Sequence, residues 1–218
     1  MAQLFHARSN TLSKLSIVVA VVLVGGFSLI AALLYRSSYY TNVGEAQLQP
    51  VPFSHQHHVA GLGIDCRYCH TSVEQSSFAG IPPTSTCMTC HSQVWNTSPM
   101  LAAVRESFQT NTPLQWNRVN AIPQFAYFNH SIHVHQGIGC ATCHGPVDQM
   151  PLMRKENSLY MEFCITCHRA PEKQVRPRTE VFNMKYVQPA NQDQLGAELV
   201  KKYNIRITQL TDCSICHR

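Results

Sequence analysis

The pattern Cys-x-x-Cys-His occurs five times in this chain, at Cys66–His70, Cys87–His91, Cys140–His144, Cys164–His168 and Cys213–His217. These motifs use all ten cysteines of the sequence, so none remains for a disulfide or a free reactive thiol. The pattern carries a particular chemistry. Two thiols bond the vinyl groups of a haem, and the histidine that follows is placed under the iron as its proximal ligand. Zinc is a poorer account, because structural zinc normally takes two such pairs per ion and five pairs would leave one unmatched. A dithiol redox site needs one pair rather than five. The sequence therefore predicts five covalently attached c-type haems and no zinc. Cys66, Cys69, Cys87, Cys90, Cys140, Cys143, Cys164, Cys167, Cys213 and Cys216 attach them, and His70, His91, His144, His168 and His217 are the proximal iron ligands. The haems are numbered below in the order of their motifs.

An iron that stays low-spin and passes electrons quickly needs a second axial ligand. Twelve histidines are present; five are proximal, and His6 lies before the long apolar stretch that separates it from the motifs. An internal repeat selects among the rest. Residues 53–59 and 128–134 both read Phe-x-His-x-x-His-Val, and each precedes a closely spaced pair of motifs. The repeat points to His55, His58, His130 and His133 as distal ligands, with His57 and His135 spare. His55 precedes Cys66 by eleven residues and His130 precedes Cys140 by ten; the same interval before Cys164 falls on Met153. This assigns His55 to haem 1, His130 to haem 3 and Met153 to haem 4, with Met150 and Met161 as alternatives. Methionine in that place would raise the potential of haem 4 and make it an exit for electrons, although a methionine that merely packs on a porphyrin face is the competing explanation. Counting back from the second and fifth motifs gives Ser76 and Lys202, neither a haem ligand, so His58 and His133 would serve haems 2 and 5 in an order the spacing leaves open.

These ligands need elements to carry them. Residues 15–35 hold no charge and are rich in Val, Leu, Ile and Ala. As a helix they would extend roughly 30 Å, the thickness of a bilayer core. A cleaved signal peptide is the alternative, but the stretch is long for a signal core and no small-x-small site follows it. Arg8 and Lys14 precede the span and no acidic residue occurs before Glu45. The expectation is a cytoplasmic tail over 1–14, a single transmembrane anchor over 15–35, and a periplasmic, extracytoplasmic domain over 36–218. Tyr35, Arg36, Tyr39 and Tyr40 suit an interfacial collar. The formal charge of +5 includes the tail, and haem propionates would offset the remainder. No Lys/Arg stripe or nucleic-acid-binding motif is present, which argues against nucleic acid as a partner.

After the span, 183 residues must serve five haems, about 37 each, too few for a conventional core around every cofactor. The fold expected is a multihaem cytochrome c: short α-helices at the motifs and irregular loops wrapped round five haems, little β, and one N-terminal membrane helix. Two dihaem units, 53–91 and 128–168, are followed by a C-terminal haem segment, 169–218. The stretch between His91 and His130, with Pro99, Pro113 and Pro123, reads as wrapping loop. Residues 192–203 read as an amphipathic helix through Leu195, Leu199 and Val200.

The apolar anchor, the two Phe-x-His-x-x-His segments, the order of the five motifs, residues 150–153 (Met-Pro-Leu-Met), 164–170, 191–196 and the terminal 210–218 resemble the pentahaem cytochrome subunit of alternative complex III. The resemblance covers most of the chain. It implies an inner-membrane, respiratory-chain complex in which an integral membrane subunit oxidises quinol, an iron–sulfur subunit relays electrons, and a monohaem cytochrome or other periplasmic acceptor receives them. The chain would then be a non-catalytic electron-relay subunit of a quinol:acceptor oxidoreductase. The alternative is a stand-alone membrane-anchored quinol dehydrogenase; that class usually places a methionine soon after the first motif, where this chain has Thr71 to Ser76. A small-molecule reductase needs an open iron, and here the histidines suffice to fill most of them. A cytochrome feeding a photosynthetic reaction centre relies mainly on methionine ligands, whereas this chain offers paired histidines.

Overall fold

A computed structural model describes residues 5–6 and 8–217. Residues 1–4 and 7 of the expected tail, and Arg218 of the terminal segment, lie outside the described residues. The chain divides into two units, Met1–Val43 and Gly44–Arg218.

The first unit is dominated by helix α1, Ser9–Arg36, whose 28 residues are long and apolar enough to cross a bilayer. It begins earlier than the apolar run. Nothing in residues 9–14 breaks a helix, and Ser9 N–H donates to His6 C=O at 2.8 Å, so the polar lead-in joins the same cylinder. Gly25 and Gly26 lie within it without interrupting it. Helix α2, Ser38–Thr41, follows a break at Ser37 and ends at Asn42 in a left-handed conformation.

In the second unit every Cys-x-x-Cys-His pattern is wound into a helical turn: α3 (Cys66–Cys69), α4 (Thr84–His91), α7 (Cys140–His144), α8 (Met161–Arg169) and α10 (Cys213–Cys216). The reason lies in the spacing. Residues three and four apart share one face of a helix, so a single turn brings both sulfurs and the histidine to the same side. Helices α5 (Ala102–Thr110), α6 (His130–His135) and α9 (Gln192–Lys202) complete the set. Among the described residues there is no strand, only the isolated bridges Ala46–Arg154, Ala126–His217 and Ile138–Val175. The architecture is the expected one of short helices, loops and one N-terminal apolar helix.

One expectation changes. The stretch between His91 and His130 is not loop throughout, because α5 lies within it. Pro99 sits in a short 3-10 turn whose first free N–H, on Met100, donates to Ser98 Oγ. Proline is harmless there, since an N–H at that position has no helical partner anyway. Leu101 and Val104 then bury against Val51 in a small cluster with Leu114 and Trp116.

A second cluster, Val175, Leu199 and Val200, forms where α9 lies on the Pro171–Lys173 turn. Gly196 makes the approach possible, because a Cβ there would run into the Glu172 carbonyl oxygen. Gln192 Nε2 donates to Glu172 C=O at 2.8 Å and to Val175 C=O at 2.9 Å, locking the helix in place. Polypeptide packing on polypeptide is confined to such patches. Gly196→Ala should lift α9 from this seat and cost about 2 kcal/mol, as overpacking generally does. Thermal unfolding with haem content held equal is the measurement, and an unchanged midpoint would mean that α9 docks loosely.

Candidate haem-ligating sites

The two Phe-x-His-x-x-His segments fold alike down to single contacts. Phe53 stacks on His58 with ring centroids 4.4 Å apart and meets His55 edge-on at 4.9 Å; Phe128 stacks on His133 at 4.4 Å and meets His130 at 4.7 Å. Each segment is capped by its second residue: Ser54 Oγ accepts from His57 N–H, and Asn129 Oδ1 from Ile132 N–H. The segments differ in length by one residue before their cysteines. The first winds Gln56–Gly61 as a π-helical turn where the second keeps an α-helix. A π-turn is what one inserted residue produces in a helix. After it the register is restored, with Ile64 N–H reaching His58 C=O where Ile138 N–H reaches His133 C=O. Gly63 and Gly137 occupy matching places at φ +70° and +75°, a backbone region that glycine enters without a Cβ penalty. The eleven-residue and ten-residue intervals thus deliver the same geometry.

Two imidazoles that share one iron, each bonded at about 2 Å with roughly 1 Å from nitrogen to ring centre, lie about 6 Å apart centroid to centroid. Three pairs have this separation: His58 with His91 at 6.2 Å, His130 with His144 at 6.3 Å, and His133 with His168 at 6.1 Å. His55 is held near His70. Desolvation lowers its pKa to about 4, and the nearby charges of His70, His58 and His144 push the same way. Its Nδ1 is buried without a partner among the described residues. His144 is likewise lowered to about 4, chiefly by desolvation. Both rings are held neutral, the form that binds a metal.

The proximal rings are aimed from behind. His70 Nδ1 lies 2.7 Å from Gly80 C=O, His91 Nδ1 3.0 Å from Val94 C=O, His168 Nδ1 2.9 Å from Leu210 C=O and His217 Nδ1 3.1 Å from Phe125 C=O. His144 Nδ1 faces the Asn120 side-chain amide at 3.0 Å, and Asn120 Oδ1 is otherwise unpartnered. Turning that amide over lets Oδ1 accept from Nδ1–H and satisfies both groups. The distal rings repeat the device, with carbonyls of Ser54, Ser77 and Asn129 at 2.7–2.8 Å from Nδ1 of His58, His130 and His133. A proton fixed on Nδ1 leaves the Nε2 lone pair for iron. None of these carbonyl partners is visible in the sequence, because backbone acceptors carry no residue signature.

The structure differs from the spacing argument at haem 4. The ring of His133, not Met153, lies near that of His168, at 6.1 Å, and the ring of His58 lies 6.2 Å from that of His91. The interval counted back from Cys164 assumed that every haem is ligated from its own upstream segment. In each repeat the second histidine instead sits one turn further along the same short helix and reaches the second motif of its pair. Met150 is fully buried, Met153 lies beside the Ala46–Arg154 bridge, and Met161 is exposed at the start of α8. None of the three is brought against a proximal histidine by any contact described. His57 stacks on Trp95 at 6.0 Å, and His135 Nδ1 lies 2.7 Å from Ser131 C=O.

The thiols follow the same logic. Burial pushes Cys140 up to about 11 and Cys143 up to about 12. These are environments that disfavour the thiolate a zinc site or a nucleophile requires, whereas a thioether carries no charge. The residues present therefore fit c-type haem.

Residues 126–218 match the family described as cytochrome c7 and related cytochrome c. Over 97 residues the chain is 37% identical to the menaquinone reductase multiheme cytochrome c subunit of Nitratidesulfovibrio vulgaris, a match covering 44% of this chain. The chain spans 45% of that relative's length. Residues 126–218, the later part of the second unit, are thus similar to multihaem cytochrome c domains.

His133→Ala should convert one low-spin iron to high-spin and leave the others unchanged, whereas Met153→Leu should leave the haem 4 signal as it is. Near-infrared magnetic circular dichroism distinguishes the two, and loss of a histidine–methionine band in Met153→Leu would return the methionine to haem 4.

Proposed function

We propose that the chain is an electron-relay subunit that carries five c-type haems and passes electrons between a quinol-linked membrane complex of the alternative complex III type and an extracytoplasmic acceptor. The carrying observation is the set of three imidazole pairs at iron-spanning distance, on residues that the internal repeat had singled out. His70, His91, His144, His168 and His217 are the proximal ligands in this reading. His55, His58, His130 and His133 are the distal ligands of haems 1, 2, 3 and 4, and α1 is the anchor.

Contacts between motifs suggest the order of the relay. The sulfur of Cys87 lies close to that of Cys69, Cys66 to Cys140, Cys164 and Cys167 to Cys143, and Cys216 to Cys164. The motifs thus neighbour one another in the sequence 2–1–3–4–5. When bound, each haem supplies a one-electron Fe(III)/Fe(II) couple. The polypeptide keeps His55, His133 and His144 neutral by burial, sets a backbone carbonyl at Nδ1 of seven of the ligand rings, and keeps successive motifs close together. With four irons doubly ligated by histidine, the chain offers little for small-molecule catalysis.

The relative's description as a menaquinone reductase subunit favours a quinone-linked role and leaves the direction of flow free. Electrons running toward menaquinone are the second reading. Iron–sulfur and integral membrane subunits, and a monohaem cytochrome, are the partners expected from the resemblance.

Purification in mild detergent should recover these subunits together with five haems per chain by pyridine haemochrome. A quinol analogue should reduce the haems in the complex and not in the isolated chain. Direct reduction of the isolated chain would instead support a stand-alone quinol dehydrogenase, and strong carbon monoxide binding by several haems would overturn the relay.

A further inference from the structure

The two repeats align through Gly63–Gly137, Ile64–Ile138 and Cys66–Cys140, which sets Asp65 opposite Gly139. What stands at that position differs in charge and in burial. Asp65 is exposed and closes an ion pair with Arg67, with Nε–Oδ1 and Nη2–Oδ2 both at 2.8 Å, and Arg67 reaches Glu74 at 3.9 Å, a surface group screened by water. At Gly139 the space a Cβ would fill is taken by the guanidinium of Arg176. Arg176 is 6% exposed. Its Nη2 donates weakly to Thr142 Oγ1 at 3.4 Å, its face lies 4.5 Å over the Tyr186 ring, and its Nε has no partner. No carboxylate lies within 4 Å of it among the described residues. Arginine remains charged even so. On the other side, the buried Asp148 carboxylate, which accepts from Gln149 Nε2 at 2.9 Å, bears on Cys66 of haem 1, more weakly than Asp65, whose charge also reaches Cys140.

We propose that Arg176 is a potential-setting residue: a buried cation with no carboxylate closer than the more distant Glu180, set beside the Cys140–His144 motif, which raises haem 3 above its repeat counterpart, haem 1. This rests on reading Cys140–His144 as a haem site. Reduction adds one electron to Fe(III) and no proton, lowering the charge of the site by one; a nearby positive charge in a low-dielectric setting favours the reduced state. Asp148 acts in the opposite sense on haem 1. Across the junction between the repeats, the electron therefore rests on the second repeat.

The test is an EPR-monitored redox titration of the full-length, haem-loaded chain in detergent. Haem 3 is identified as the low-spin signal lost in His130→Ala. Arg176→Gln should shift the haem 3 midpoint downward, and Arg176→Lys should restore most of it, which a purely structural role would not predict. Gly139→Ala displaces the guanidinium at a position whose backbone accepts any residue, and should lower the same midpoint even if Arg176→Gln fails to take up five haems. In unmodified protein haem 3 should titrate above haem 1. An unmoved or raised haem 3 midpoint in these variants, a shift confined to another haem, or haem 1 above haem 3 would each overturn the proposal. Haem count and low-spin signals report separately on whether the haem sites themselves are as read.

Discussion

The constraint on which the rest depends is the separation of about 6 Å, ring centre to ring centre, that two imidazoles must have to share one iron. Three histidine pairs meet that distance within a few tenths of an ångström, and much of the irregular backbone is explained by what it does for them. Carbonyls at Ser54, Ser77, Gly80, Val94, Asn129, Leu210 and Phe125 each face an Nδ1. In most globular folds a carbonyl outside regular structure is simply solvated or capped. Here the loops are where histidine orientation is decided, which is why regular secondary structure can be so sparse without leaving the ligands free to turn.

The sparse core has the same origin. Among the described residues fully buried side chains are few, with Met150, Val175 and Val181 the largest, and the two apolar clusters lie under α5 and α9, one against α4 and the other against Ile138. Large apolar side chains between motifs, such as Phe78, Ile81 and Trp95, are exposed in the polypeptide, as surfaces meant for porphyrin faces would be. Attachment of haem and completion of the fold are then the same event, since neither the ligand pairs nor the apolar loops have another reason to come together.

How much of this could be read in the sequence varied with the kind of signal. Motif helices, the apolar N-terminal helix and α9 were legible because each is specified locally, by three-residue spacing, by composition or by periodicity. The likeness of the two Phe-x-His-x-x-His segments was legible because a duplicated pattern is improbable by chance. What could not be read was which iron each histidine faces. Counting residues back from Cys164 gave Met153, while folding brought His133 there from 31 residues upstream of the motif. That choice is made by packing of one repeat on its own second motif, which linear spacing does not encode. Helix α5 was missed because its prolines mark the flanks of an element rather than its absence.

The repeat also shows what duplication leaves free to change. Ligand geometry is maintained so strictly that a one-residue difference in length is absorbed in a π-turn before it reaches Cys66. One position before each first cysteine, where no ligand is at stake, the copies diverge completely: an aspartate with its own surface arginine in one, a glycine admitting a distant arginine in the other. Coordination fixes where an electron can stop, whereas the charges at the porphyrin edge decide at which stop it is held. Two copies of one haem-binding unit placed in series conduct equally well in both directions if their surroundings are equal. A directed relay built from a duplication must break that equality somewhere, and the position before the first cysteine is where it can be broken without disturbing a single iron ligand.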